Sequence, residues 1–171
     1  MKIKTLFAAL ALTLMMPVAA SAQTVTSTLK GLHDITKTNI IATAEMLDEE
    51  LYAFRPTDEV RSMGELLGHI ANAQYAFCSS AAGESSPNSE NLEQTRTTKA
   101  GIVEALQAAF AYCDGVYART NDAGLSRAVS LFGAPNTAGG VLAFNSAHNY
   151  EHYGNLVTYM RLNGIVPPSS M

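Results

Sequence analysis

Apolar residues recur every three or four positions along most of the chain, the spacing of helices that bury one face. A first helix is predicted over about Thr26 to Ala53, with Leu29, Leu32, Ile40, Ala44, Leu47 and Leu51 as its stripe. Arg55-Pro56-Thr57 ends it, because proline lacks an N–H donor and disfavours helix at the residue before it. The second helix has the clearest start. Ser62 and Glu65 stand at capping-box spacing, and Leu66, Ile70, Ala73 and Phe77 follow as one stripe. The pattern fades into Ser79 to Asn88, which is rich in Ser, Gly and Pro and reads as a loop. A third helix covers about Thr98 to Thr120, with Ile102, Leu106, Phe110, Cys113 and Tyr117 on one face. Asn121 to Asn136 reads as a connection whose apolar part, Ala128 to Phe132, packs on the body. A fourth helix covers about Thr137 to Asn163; Gly164 and Pro167-Pro168 are its stop signals. No alternating run bounded by turn signals suggests a sheet.

Four long amphipathic segments predict an all-α protein, a four-helix bundle with room for a site between facing helices. The long link between the second and third helices permits a crossover, so those two helices can run parallel. In that case Cys78 and Cys113 sit at similar depth, roughly 24 Å along each axis. A disulfide and a pair of buried thiols both remain open on the sequence.

The first 22 residues stand apart. Lys2 and Lys4 precede the apolar run Leu6 to Met16, Pro17 follows, and Ala20-Ser21-Ala22 offers small residues at a cleavage site. The run is shorter than the roughly 20 residues of a membrane anchor. A cleavable signal peptide at 1–22 and one domain at 23–171 are therefore expected, the protein being exported to the periplasm or secreted, with no membrane attachment in the mature form. The net charge of −4 falls further once Lys2 and Lys4 leave, and the basic residues are not clustered. Nucleic acid is excluded as a partner on that ground.

Candidate chemistry centres on histidine. His148 and His152 are four residues apart and share one face of the fourth helix. Val141, Phe144, Asn155 and Tyr159 fall within roughly 40° of His148, so the pair lies on an inward seam. His69 sits at the edge of the second helix's stripe. Three imidazoles can hold one metal ion and leave coordination positions open, the pattern of catalytic sites. Spacing alone equally allows histidines that simply hydrogen-bond in the core. His33 reads as a core or half-exposed histidine, Glu65 as a cap, and Tyr75, Tyr150 and Tyr153 as packing residues. Glu151, about 60° off the seam, is a solvated glutamate or else a hydrogen-bond acceptor or base near the histidines. Asn72 and Asn145 are candidates to orient ligand rings. Gly139-Gly140 shows no phosphate-loop pattern. Cys113 is the other conceivable nucleophile, though a buried thiol is inert.

Two segments resemble the DinB-like family. They are Arg55-Pro56-Thr57 through Ser62-Met63-Gly64-Glu65-Leu66-Leu67-Gly68-His69-Ile70, and His148-Asn149-Tyr150-Glu151-His152 through Tyr159, Arg161, Gly164 and Pro167-Pro168. The resemblance implies an up-down-down-up bundle with a divalent metal on His69, His148 and His152. It also implies an activity as metal-dependent hydrolase or thiol transferase. Imidazole ligation suits a transition metal, with zinc or nickel ahead of iron or manganese, rather than magnesium or calcium. A bound water with lowered pKa would be the nucleophile toward a small-molecule substrate. Many relatives carry Gly-Gln after the last histidine, where this chain has Tyr153-Gly154-Asn155. An oxidising compartment would also withhold the small thiols a transferase uses. The rival readings are a module that binds metal or a small ligand without turnover, and an interaction domain with structural histidines. A homodimer through helix faces is a further option, although no stripe is in surplus.

Overall fold

The computed structural model describes residues 24–171. The expected signal peptide lies outside them. Five helices and a small hairpin follow in the order α1 (Val25–Met46), α2 (Met63–Ala82), α3 (Leu92–Thr95), α4 (Lys99–Arg119), β1 (Ala128–Leu131), β2 (Ala134–Thr137) and α5 (Ala138–Leu162). The long ones, α1, α2, α4 and α5, are the four predicted helices. No described helix is long and apolar enough to cross a membrane.

Side-chain caps set most boundaries. Thr24, Ser62, Thr98 and Thr137 each accept a backbone N–H of the first turn, and Ser62 with Glu65 completes the capping box. α2 runs on to Ala82, past the Ser79 at which a loop was expected. Cys78 and Ala81 are buried, and the helix stops only at Gly83, in the left-handed region at φ 71°. α1, in contrast, ends early. Its expected last turns are a separate 3-10 turn, Glu49–Ala53, because the chain extends at Leu47 and folds back. The Tyr52 hydroxyl donates to the Ala44 carbonyl at 2.6 Å and Lys99 Nζ donates to that of Leu47 at 2.7 Å. Carbonyls at the end of α1 are thus satisfied by tertiary partners instead of another helical turn.

The helix directions follow from which residues meet. Tyr75 faces Tyr112, and Cys78 is disulfide-bonded to Cys113 with a Cα–Cα distance of 5.4 Å, so α2 and α4 are parallel. Lys99 reaches the end of α1 while His33 meets Asp114, so α1 and α4 are antiparallel. Gln74 meets Asn145 and His69 meets His148, which sets α5 antiparallel to α2. The course is up, down, down, up. The parallel pair is what brings both cysteines to one level and resolves the open choice in favour of the bridge.

Two apolar clusters fill the bundle. One joins Ile40, Leu67, Ile70, Leu106, Phe110 and Leu156; the other surrounds the disulfide with Phe77, Val116, Val141 and Leu142. Four polar residues stand between the two levels, one each on α1 and α2 and two on α5. Gln74 and Asn145 exchange amide hydrogen bonds at 3.1 Å, Gln74 also donates to Asn149 at 2.6 Å, and Asn149 donates to Thr36 at 3.5 Å. All four are fully buried. Each amide satisfies the others, as buried polar groups require.

The connection after α4 corrects the expectation of no sheet. Ala128–Leu131 and Ala134–Thr137 pair as an antiparallel hairpin, with Val129 and Leu131 against the second cluster. Its strands are too short for alternation to stand out, its turn residues are Phe132-Gly133, and Pro135 in β2 argues against a strand.

Candidate metal centre

The three histidines come together across the α2–α5 seam. His69 Nε2 is 3.2 Å from His148 Nε2, and His152 Nε2 is 3.0 Å from the same atom. The three donor nitrogens all lie within 4.8 Å of one another. The pair on α5 converges because its spacing stacks the two rings one turn apart. His69 joins them because α2 runs antiparallel at that level.

Protein groups alone leave this cluster poorly satisfied. A neutral ring nitrogen has one proton or one lone pair, so His148 Nε2 can serve only one of its two neighbours at a time. His148 Nδ1 and His152 Nδ1 are also buried and meet no hydrogen-bond partner among the described residues, a deficit that an ion on the Nε2 atoms would leave in place. A cation bonded to three imidazoles at about 2.0–2.1 Å would hold their nitrogens roughly 3.3 Å apart, close to the distances found. Burial is the main reason that His148 titrates at about 3 and His152 at about 4, followed for His148 by its neighbours His152 and His69 and for His152 by His69. His69 is lowered too, first by burial and then by Arg61, with Glu93 opposing. All three rings are therefore neutral near pH 7, the state a metal ligand needs. Geometry and protonation are both compatible with a divalent metal.

Sequence reasoning missed two residues here, Glu93 and Arg61. Glu93 Oε2 lies 3.4 Å from His69 Nδ1, and Arg61 Nε donates to Glu93 Oε1 at 2.8 Å. At that distance the carboxylate favours a proton on His69 Nδ1, which leaves Nε2 free to face the other rings. Glu93 reaches this place through α3, a single turn with no periodic signal. Asn72, expected near the rings, instead pins α3: its Oδ1 accepts from Leu92 N at 2.9 Å and its Nδ2 donates to Asn91 at 2.8 Å. Gly68 permits the approach, since a Cβ there would stand 2.7 Å from Glu93 Cα.

The remaining candidates separate cleanly. Asn145 belongs to the buried amide layer and not to the histidines. Glu151 is exposed and bonds to none of the rings, but it lines an open cleft of about 540 Å³ beside His152, with Arg61, Glu93, Asn155 and Tyr159. The seam expected around His148 is thus the edge of a groove: Val141 and Tyr159 are buried, while Phe144 and Asn155 are exposed. The innermost face of α5 is instead that of Leu142, Asn145, Asn149 and Leu156. His33 is a core histidine, stacked on Tyr117 at 4.5 Å and bonded through Nε2 to Asp114 at 3.1 Å. It forms a second cluster with Asp34 and Asp114, but Lys30 and Lys37 already pair those carboxylates. Tyr153 packs in the core with its hydroxyl accepting from Ser169 N, and Cys113, being disulfide-bonded, offers no thiol nucleophile.

Comparison with known proteins agrees with this architecture. The sequence model of the DinB superfamily matches residues 32–156. A crystal structure of a DinB-like protein from Bacillus cereus superposes with a TM-score of 0.72 at 18% identity, covering 85% of this chain and 97% of that one. A DinB-like protein from Bacillus subtilis gives a TM-score of 0.65 at 20% identity, covering 80% and 92%. No curated protein sequence gives a significant match. With the family model spanning most of the helical body, the chain belongs to the DinB superfamily.

Proposed function

We propose that His69, His148 and His152 bind one divalent transition-metal ion and that the protein uses it to hydrolyse a small molecule. The observation that carries this reading is the meeting of three neutral imidazole nitrogens at 3.0 and 3.2 Å around His148 Nε2, a contact those rings cannot all satisfy themselves. Zinc and nickel suit the donor set best. The bound ion would supply Lewis acidity and a coordinated water of lowered pKa. Glu93 and Arg61 fix the His69 ring, and Phe77, with its ring centroid 5.1 Å from that of His148, keeps water from that side of the cluster. The cleft beside His152 offers Arg61, Asn155 and Tyr159 to orient a polar substrate.

One observation favours a second reading, a binding module without turnover. Glu93 is already engaged by Arg61 and His69, and Glu151 is exposed, so no carboxylate is held in place to take a proton from a substrate. The leader-like residues 1–22 and the disulfide support export to the periplasm or beyond. That compartment weakens the thiol-transferase alternative.

Elemental analysis of the mature protein, prepared without a histidine tag, tests the metal. About one equivalent of zinc or nickel is expected, and none in His148→Ala. No metal in either protein after reconstitution with both ions would overturn the site. Hydrolysis of members of an ester, amide and phosphoester panel by the loaded protein would support the enzyme. Silence across the panel with metal bound would favour the binding module.

A further inference from the structure

Phe132 is the one non-glycine residue with a positive φ among the described residues, at 51°. With Gly133, at φ 78°, it forms the two-residue turn closed by the Leu131–Ala134 pair. Two successive positive φ values are the type I′ geometry, whose first position favours Asn, Asp or Gly and strains a bulky side chain. Burial does not compensate that strain, because Phe132 is 79% exposed. Its ring instead completes an aromatic triad. Phe132 stands edge-on to Phe77 at 5.9 Å and to Phe144 at 5.8 Å, and those two meet edge-on at 5.2 Å. Phe77 in turn lies edge-on to the His148 ring at 5.1 Å. Exposure rises from Phe77 at 4% through Phe144 at 40% to Phe132, so an apolar shelf leads from His148 out to the hairpin tip. The charged cleft lies the other way along α5, past His152.

We propose that Phe77, Phe144 and Phe132 form an aryl-binding subsite of the metal centre. It takes small molecules whose aromatic ring lies next to the oxygen that meets the ion. Strained residues concentrate where a ligand is clamped, and an exposed edge-to-face triad offers a further ring the contacts its members already make with one another. The hairpin positions the outermost ring of the shelf. This inference rests on the three-histidine metal reading.

Benzohydroxamate and acetohydroxamate share one chelating head and differ in the aryl group, so they serve as probes. Metal content is measured first, and both are then titrated calorimetrically into zinc-loaded protein. The native chain is expected to prefer benzohydroxamate by about tenfold or more. Phe132→Asn, which suits the turn, should lower that preference severalfold and leave metal content and acetohydroxamate affinity unchanged; Phe144→Ala should do the same. A residue that merely anchors the hairpin would alter melting temperature without altering the ratio. Equal binding of the two probes to loaded native protein overturns the subsite, as does a preference unchanged in both variants. Absence of metal overturns the metal reading and the subsite together, and the prior metal measurement tells that outcome apart.

Discussion

His148 is the centre of the histidine cluster, because two other imidazoles press on one of its nitrogens. Burial of these rings, with their crowding second, makes the metal-free fold sensitive to acid. His148 and His152 titrate at about 3 and about 4 in the folded protein, against roughly 6.5 when unfolded. As pH falls below about 6.5 the unfolded chain takes up protons that the folded chain refuses, so stability rises with pH across this window. The stabilising contribution is complete above about 6.5 and is lost progressively as pH falls toward 4 and 3. Chemical denaturation of the metal-free protein at pH 7.5, 5.5 and 4.5 should show the decline, which His148→Ala should reduce. A native midpoint flat over that range would contradict the depressed values. Glu93 makes the second prediction at this scale. Glu93→Gln keeps the side chain's shape but removes the charge that holds the His69 proton. Metal affinity, read by competition with a chelating dye, should fall by about 10–100-fold.

At the scale of elements, the turn α3 is held by Asn72 and admitted by Gly68. Gly68→Ala would drive a Cβ to 2.7 Å from the Glu93 backbone, which has no flexible end to yield. Stability should fall by about 1–3 kcal/mol, and metal affinity should fall with it as Glu93 is displaced from His69. A variant with native affinity would show that α3 does not position the ring. These elements also mark what was legible in the sequence. The capping box at Ser62, the stop at Gly164 and the His148–His152 spacing are local signals that can be read without the fold. Glu93 was invisible because its role depends on α3 folding back over a glycine in another helix. The hairpin was invisible because its strands are four residues long and Phe-Gly is a poor match to the usual turn signals. The inner face of α1 was legible in Ile40, Ala44 and Leu47, but its polar members and the exposure of Leu32 were not, for a related reason. His33, Thr36 and Thr43 are buried there while Leu32 is exposed; His33 Nε2 meets Asp114, and the two threonine hydroxyls meet Asn149 or α1's own carbonyls. Hydropathy does not see such partners.

Across the whole molecule, the disulfide and the amide layer hold α2 against its two neighbours. Cys78 and Cys113 close a loop with a sequence separation of 35. Replacing both by alanine should lower stability by about 2–4 kcal/mol in equilibrium denaturation. The three histidines lie at another level of the bundle, so metal stoichiometry should persist in that variant at temperatures where it stays folded. Loss of metal from a demonstrably folded variant would mean that the bridge sets the α2–α5 register. The parallel placement of α2 and α4 was implied by the family resemblance and left open by the residues themselves, since the long link allowed either direction.

All three histidines come from α2 and α5, and among the described residues α5 is the last of the four long helices to be made. During synthesis, therefore, the cluster cannot exist until α5 has followed α2, α3 and α4. If residues 1–22 direct the chain across a membrane unfolded, His69 crosses without its partners and can capture nothing from the cytosol. The ion would then be chosen by the supply on the far side, where α5 finally closes on α2, and the same polypeptide folded in two compartments could carry two different metals.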